Sequence, residues 1–85
     1  MTTSHHVKEF AYEAGEEVVL RLAGAEAFDV ARGSAVPDGC LAMWTIGTIL
    51  ARMRRDGTPA YAVQFRHHGA PCVCVADQCA IEGTA

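Results

Sequence analysis

The side chains best suited to chemistry gather in the second half of this sequence. Cys72 and Cys74 stand at alternate positions, His67 and His68 are adjacent, Asp77 follows, and Cys79 adds a third thiol. Thiolates and imidazoles are ligands of zinc, so Cys72, Cys74, Cys79 and His68 are the set that could hold a metal. Cys-x-Cys-x4-Cys has no Cys-x-x-Cys knuckle, however, and closed zinc sites usually take paired ligands from a turn, so no metal is expected. Alternate strand residues share a face about 7 Å apart. With Val73 and Val75 turned inward, the two thiols would lie outward near Gln64 and Arg66, where a guanidinium favours thiolate and makes Cys72 the more reactive. The competing reading treats them as inert small side chains, since free cysteine commonly behaves as a small hydrophobe.

Catalysis finds little support. Ser4 and Ser34 are the only serines, neither in a Gly-x-Ser-x-Gly elbow, and neither a phosphate-binding glycine loop nor a His-Glu-x-x-His motif occurs. His67 and His68 beside Asp77 could act as an acid and base. A chain of 85 residues builds one small core, with no deep cavity to tune them. The expectation is a non-enzyme without cofactor.

Charge and aromatic residues suggest binding surfaces instead. The net charge is −3, yet Arg52, Arg54, Arg55 and Arg66 supply four of the seven Lys and Arg residues. Together with Lys8 and His68 they would form a basic face able to meet an acidic protein or nucleic acid. The acidic total argues against a protein devoted to phosphate backbones. Trp44, the only tryptophan, is either the anchor of a protein interface or the plug of the core. Cys40, Leu41, Met43 and Ile46 around it make an apolar run compatible with a covered surface or a homodimer.

The elements that must position these residues are short strands. Hydrophobic residues reach 51% while aromatics are only 7%, so the core is aliphatic and the chain is not a disordered segment. Residues 1–13 read as a flexible lead-in. Glu17-Val18-Val19-Leu20-Arg21-Leu22 alternates, with Val18, Leu20 and Leu22 inward. Residues 23–43, broken by Gly24, Gly33-Ser34 and Pro37-Asp38-Gly39, read as a long loop with one helical turn near Ala25–Ala31. Arg55-Asp56-Gly57 between two alternating runs signals a hairpin. A two-residue turn would set Tyr61 opposite Arg52, mixing apolar and polar faces. A three-residue loop pairs Ala51 with Tyr61, Ile49 with Val63 and Gly47 with Phe65, and leaves Arg52, Arg54, Gln64 and Arg66 outside. Cys72–Val75 and Ala80–Glu82 follow as further strands, separated by a turn at Asp77-Gln78.

Five such strands fit a small barrel, and several residues resemble the SH3-like barrel superfamily in its Tudor and KOW-type varieties. Ala14-Gly15-Glu16-Glu17-Val18 is similar to the opening of its first strand, and Gly47-Thr48-Ile49 to the start of its second. Asp56-Gly57 with Tyr61-Ala62-Val63-Gln64-Phe65 resembles its Asp-Gly…Tyr-x-Val-x-Phe hairpin, and Val75–Ile81 its closing turn and strand. The likeness covers residues 14–82, leaves 83–85 as a tail, and matches nothing in 23–43. It implies an all-β, five-stranded SH3-like barrel with a long loop between strands one and two.

The resemblance implies a binding module. The loop ends of such barrels would supply Phe28, Trp44, His67 and His68 as a partner-binding group. Small subunits that brace electron-transfer enzymes share the Gly-Thr-hydrophobe and Tyr-x-Val-x-Phe pattern, so an accessory role is among the expectations. A Tudor-type cage needs several aromatic faces, and 67–71 contains no Phe, Tyr or Trp. The expected partner is a protein, with nucleic acid as the alternative and no membrane. The N-terminus lacks the basic start and apolar stretch of about 7–15 residues of an export signal, so a cytoplasmic location with reduced thiols is expected.

Overall fold

The computed structural model describes residues 9–23, 25–37 and 41–85. The strands are β1 (Glu17–Arg21), β2 (Ala27–Asp29), β3 (Ser34–Ala35), β4 (Trp44–Arg55), β5 (Thr58–His67), β6 (Ala70–Asp77) and β7 (Ile81–Thr84), with a 3-10 turn at Gln78–Ala80. All pair antiparallel in one sheet of order β3-β2-β6-β5-β4-β1-β7. The all-β class is as expected. The five-stranded barrel is corrected: there are seven strands, and the edge strands β3 and β7 do not pair with each other to close the sheet. Among the described residues no helix is long and apolar enough to cross a membrane.

The two extra strands come from the stretch expected as a loop. Its one expected helical turn is instead β2, in which Ala27 and Asp29 are buried and Phe28 is exposed, the alternation of a strand. This segment completes the hydrogen bonding of β6, whose outer edge would otherwise be unpaired. The turn into β3 is closed by Asp29, whose Oδ1 accepts from Arg32 N at 3.0 Å while its carbonyl accepts from Gly33 N at 2.9 Å.

One face of the sheet forms the core. Val18 and Leu20 from β1, Ile49 from β4, Tyr61, Val63 and Phe65 from β5, and Cys72 and Cys74 from β6 join one buried cluster with Leu22, Ala27 and Ile81. No second sheet covers them among the described residues, so the sheet must coil over its own inner face, as its inherent twist allows. The strand β1 alternates as its sequence foretells.

The central hairpin reconciles both of its sequence-level readings. Asp56 and Gly57 have φ of 52° and 79°, the double positive φ of a two-residue type I′ turn, and Arg55 pairs with Thr58. Even so, Ile49 pairs with Val63 and Gly47 with Phe65, as a three-residue loop would require. A bulge at Leu50, between Ile49 and Ala51, supplies the extra residue. Beyond it Ala51 lies opposite Ala62, not Tyr61, and Arg52 takes the place opposite Tyr61.

That exchange brings Arg52 to the face of a fully buried tyrosine, where residues 10–12 cover both. The Tyr61 hydroxyl accepts from Ala11 N at 3.0 Å and Tyr12 N at 3.3 Å, and donates to Gln78 Oε1. Gln78 Oε1 also accepts from Ala11 N at 3.0 Å. Phe10 and Tyr12 meet the Tyr61 ring edge to face, at centroid distances of 5.9 and 5.7 Å. A buried hydroxyl left unpaired would be costly, so this network binds the N-terminal segment to the core.

Candidate functional site

The outer face of β1 and β4 follows from the parity of the core. Because Val18, Leu20, Gly47 and Ile49 point inward, Glu17, Val19, Arg21, Trp44, Ile46 and Thr48 are left on the opposite side. The register sets Arg21 opposite Trp44, Val19 opposite Ile46 and Glu17 opposite Thr48. Trp44 is 44% exposed, Ile46 58% and the preceding Met43 68%, so Trp44 is not the core plug. The Arg21 guanidinium lies 6.0 Å from the centre of the Trp44 ring, within reach of a cation–π contact. Across β4 on the other side, Ile46 and Arg66 line a shallow groove of about 530 Å³ together with Thr48, Gln64 and Glu17. Neither Arg21 nor Arg66 has a carboxylate partner among the described residues. Among the described residues Arg66 donates only to the Gly69 carbonyl, at 2.8 Å.

The other expected binding residues are dispersed. His68 sits in the two-residue β5–β6 turn with φ of 50°, and His67, half-buried, has its ring centroid 4.3 Å from that of His68. Both lie at the Trp44 end of the β4–β5 ladder. His67 also lines a small cleft with Asp29, Ser34 and Pro37. Phe28 is exposed but pairs with Val73, so β6 and β5 separate it from β4. Of the apolar run 40–46, Cys40 lies outside the described residues and Leu41 packs against the core.

The arginine face is also divided, and the bulge divides it. Arg52 and Arg54 pair with Tyr61 and Pro59 and share their face, whereas Arg55 and Arg66 are on the other. The expected outer stripe of Arg52, Arg54, Gln64 and Arg66 is therefore corrected. Arg52 and Arg54 flank the Phe10 ring at 5.5 and 5.6 Å, and Arg54 forms an ion pair with Glu9. That guanidinium holds the Glu9 carboxyl below its ordinary range. Arg55 is occupied by Asp77 at 3.1 Å and the Val75 carbonyl at 3.2 Å. Lys8 lies outside the described residues.

The thiols are turned the opposite way from the expectation. The His68-Gly69 turn sets Cys72 opposite Phe65 and Cys74 opposite Val63, so both share the core face, while Val73 and Val75 are outward. Cys72 is 0% exposed and Cys74 4%. Burial, then the nearby Asp29 carboxylate, pushes the Cys72 thiol up. Burial likewise pushes Cys74 up to about 11, against the pull of Arg55. Neither is the activated thiolate expected of Cys72. Cys79 is exposed on the 3-10 turn, and among the described residues no three His, Cys, Asp or Glu side chains converge to hold a metal.

Sequence reading singled out Trp44 but missed its setting of Val19, Ile46, Arg21 and the groove with Arg66. The signal was available in the alternation of β1, which already placed Val19 and Arg21 outward. In comparisons with known proteins, the chain matches no family model, no curated protein and no solved structure.

Proposed function

We propose that this chain is a non-catalytic binding module whose ligand is another protein, held on the outer face of β1 and β4 around Trp44. The observation that carries this reading is the pair Trp44 and Ile46, both substantially exposed on one face beside exposed Met43. Contiguous exposed apolar side chains mark interaction surfaces, and tryptophan is enriched among residues that dominate binding energy. A kinship with SH3-like barrels and an accessory role belong to the same reading, supported by the tight Asp-Gly hairpin and the Tyr-x-Val-x-Phe strand. A cytoplasmic location also belongs to it, in keeping with the three described cysteines, all unpaired. Nucleic acid is the less favoured ligand, because Arg54 and Arg55 are paired with carboxylates and Arg52 faces Phe10.

Selection from a random peptide library displayed on phage tests the reading. Enriched peptides should lose binding to Trp44→Ala and Ile46→Lys, with both variants keeping a thermal midpoint near that of the wild type. Peptides that bind these folded variants undiminished, or a selection with no enrichment, would overturn it. Titration of labelled RNA and DNA at two salt concentrations should show no binding; tight, steeply salt-dependent binding would favour the nucleic-acid reading.

A further inference from the structure

Resting on the reading of this face as a protein-binding surface, we infer that its ligand is an extended segment of another chain, bearing one apolar residue between two carboxylates in the pattern acid-x-apolar-x-acid. The apolar residue covers Ile46 and the edge of Trp44, and the carboxylates meet Arg21 on one side and Arg66 on the other. Both arginines are without a carboxylate among the described residues, unlike Arg54 and Arg55. Their separation sets the spacing. Arg21 is level with Trp44 on β1, and Arg66 borders the groove at Ile46 on β5. They are thus two strand spacings apart across the sheet and two residues apart along it, about 12 Å between Cα atoms. Residues i and i+4 of an extended peptide are about 13 Å apart, so two acids flanking a central apolar residue span the pair.

The chain itself already uses this chemistry at the other end of β4. There Glu9 pairs with Arg54, and Phe10 lies beneath Arg52 and Arg54. An acidic and aromatic segment is thereby held on a strand by guanidinium groups. The Trp44 end offers the same pairing of apolar surface and guanidinium, without a carboxylate among the described residues. Glu17, four residues from Arg21 on the same strand, opposes a carboxylate at the Thr48 end and so favours placing the two acids at Arg21 and Arg66.

The test uses the single tryptophan as its reporter. Trp44 fluorescence is followed while two peptides are added, one carrying Glu-Thr-Leu-Thr-Glu and the other Lys-Thr-Leu-Thr-Lys. The acidic peptide should bind at least tenfold more tightly at low salt. Arg21→Gln and Arg66→Gln should each weaken it by about three- to fivefold, as exposed ion pairs do. Equal binding of the lysine peptide, or no effect of either substitution in a folded variant, overturns the inference while leaving the protein-binding reading intact. Self-association that is abolished by Trp44→Ala would make a second copy the occupant and also overturn it. Failure of both peptides, together with no Trp44-dependent enrichment from the phage library, overturns the underlying reading.

Discussion

Gly47→Ala probes the packing on which the Trp44 face is built. Gly47 lies between Val18 on β1 and Phe65 on β5 and is buried. A Cβ at this position would stand 2.6 Å from Val63 Cγ1, 2.9 Å from the Gln64 carbonyl oxygen and 3.1 Å from Leu20 Cδ2. Val63 and Leu20 are wholly enclosed, so neither can swing away, and the Gln64 oxygen belongs to the backbone of β5. Overpacking in a core costs about 1–3 kcal/mol, and three close approaches, one of them to backbone, favour the upper half of that range. For a domain of this size the thermal midpoint should fall by about 10–20 °C. Urea unfolding followed by far-UV circular dichroism should give a lower midpoint with an unchanged slope. Adding Val63→Ala, which alone costs about 2 kcal/mol, should relieve the worst contact, so that the double variant is less destabilised than the sum of the singles by at least about 1 kcal/mol. Full rescue is not expected, because the Gln64 oxygen remains. A Gly47→Ala protein within about 0.5 kcal/mol of the wild type, or strict additivity with Val63→Ala, would refute the reasoning.

Tyr61→Phe should cost about 1–3 kcal/mol, since it strips a partner from the amides of Ala11 and Tyr12 and from Gln78 in a partly buried site. Hydrogen exchange at those two amides should accelerate with no matching change in β4, whereas unchanged exchange would show that the segment is held by its aromatic rings alone. Iodoacetamide mapping should label Cys79 in the native protein and reach Cys72 and Cys74 only after unfolding. The Cys74 thiol, pushed up to about 11, keeps a proton that the unfolded chain gives up near about pH 8.5. Its contribution is therefore complete below that pH and is lost as pH rises towards the folded value. Cys74→Ala should flatten this alkaline decline, and an identical decline in the variant would assign it to other groups.

Local pattern carried the parts of the fold that depend on one strand at a time. The inward set Val18, Leu20 and Leu22 was visible because β1 alternates cleanly, and Asp56-Gly57 marked its turn because few residues accept positive φ. What failed were decisions about phase between strands. The conflict at Tyr61 is visible in the sequence, but one inserted residue satisfies it equally well in the loop or within the strand, and pairing arithmetic does not distinguish the two. The result was to misplace Arg52 and Arg54. The expected outward placement of Cys72 and Cys74 fails because the two-residue turn at His68-Gly69 sets the cysteines, not the valines, opposite Phe65 and Val63. The segment 27–35 was illegible because strands of three and two residues carry almost no periodicity of their own, and it is pairing with β6 that makes them strands. For the candidate site, residue type pointed to Trp44, and only the register of β1 revealed what surrounds it.

Leu50 is the one residue of β4 that the hairpin could lose while every cross-strand pair on either side kept its partner. It acts as a mechanical joint in a strand of 12 residues. The segment before it is committed to the core and to the Trp44 face, while the segment after it is a lever that carries Arg52 and Arg54 over Phe10. A joint of this kind uncouples the two ends: residue pairs added at the hairpin tip, beyond Arg54 and Pro59, would lengthen the lever without shifting the register of Gly47, Ile49, Val63 or Phe65. The distance from the Trp44 face to the hairpin tip is thus an adjustable dimension of the molecule, open to change by insertion where the core is not.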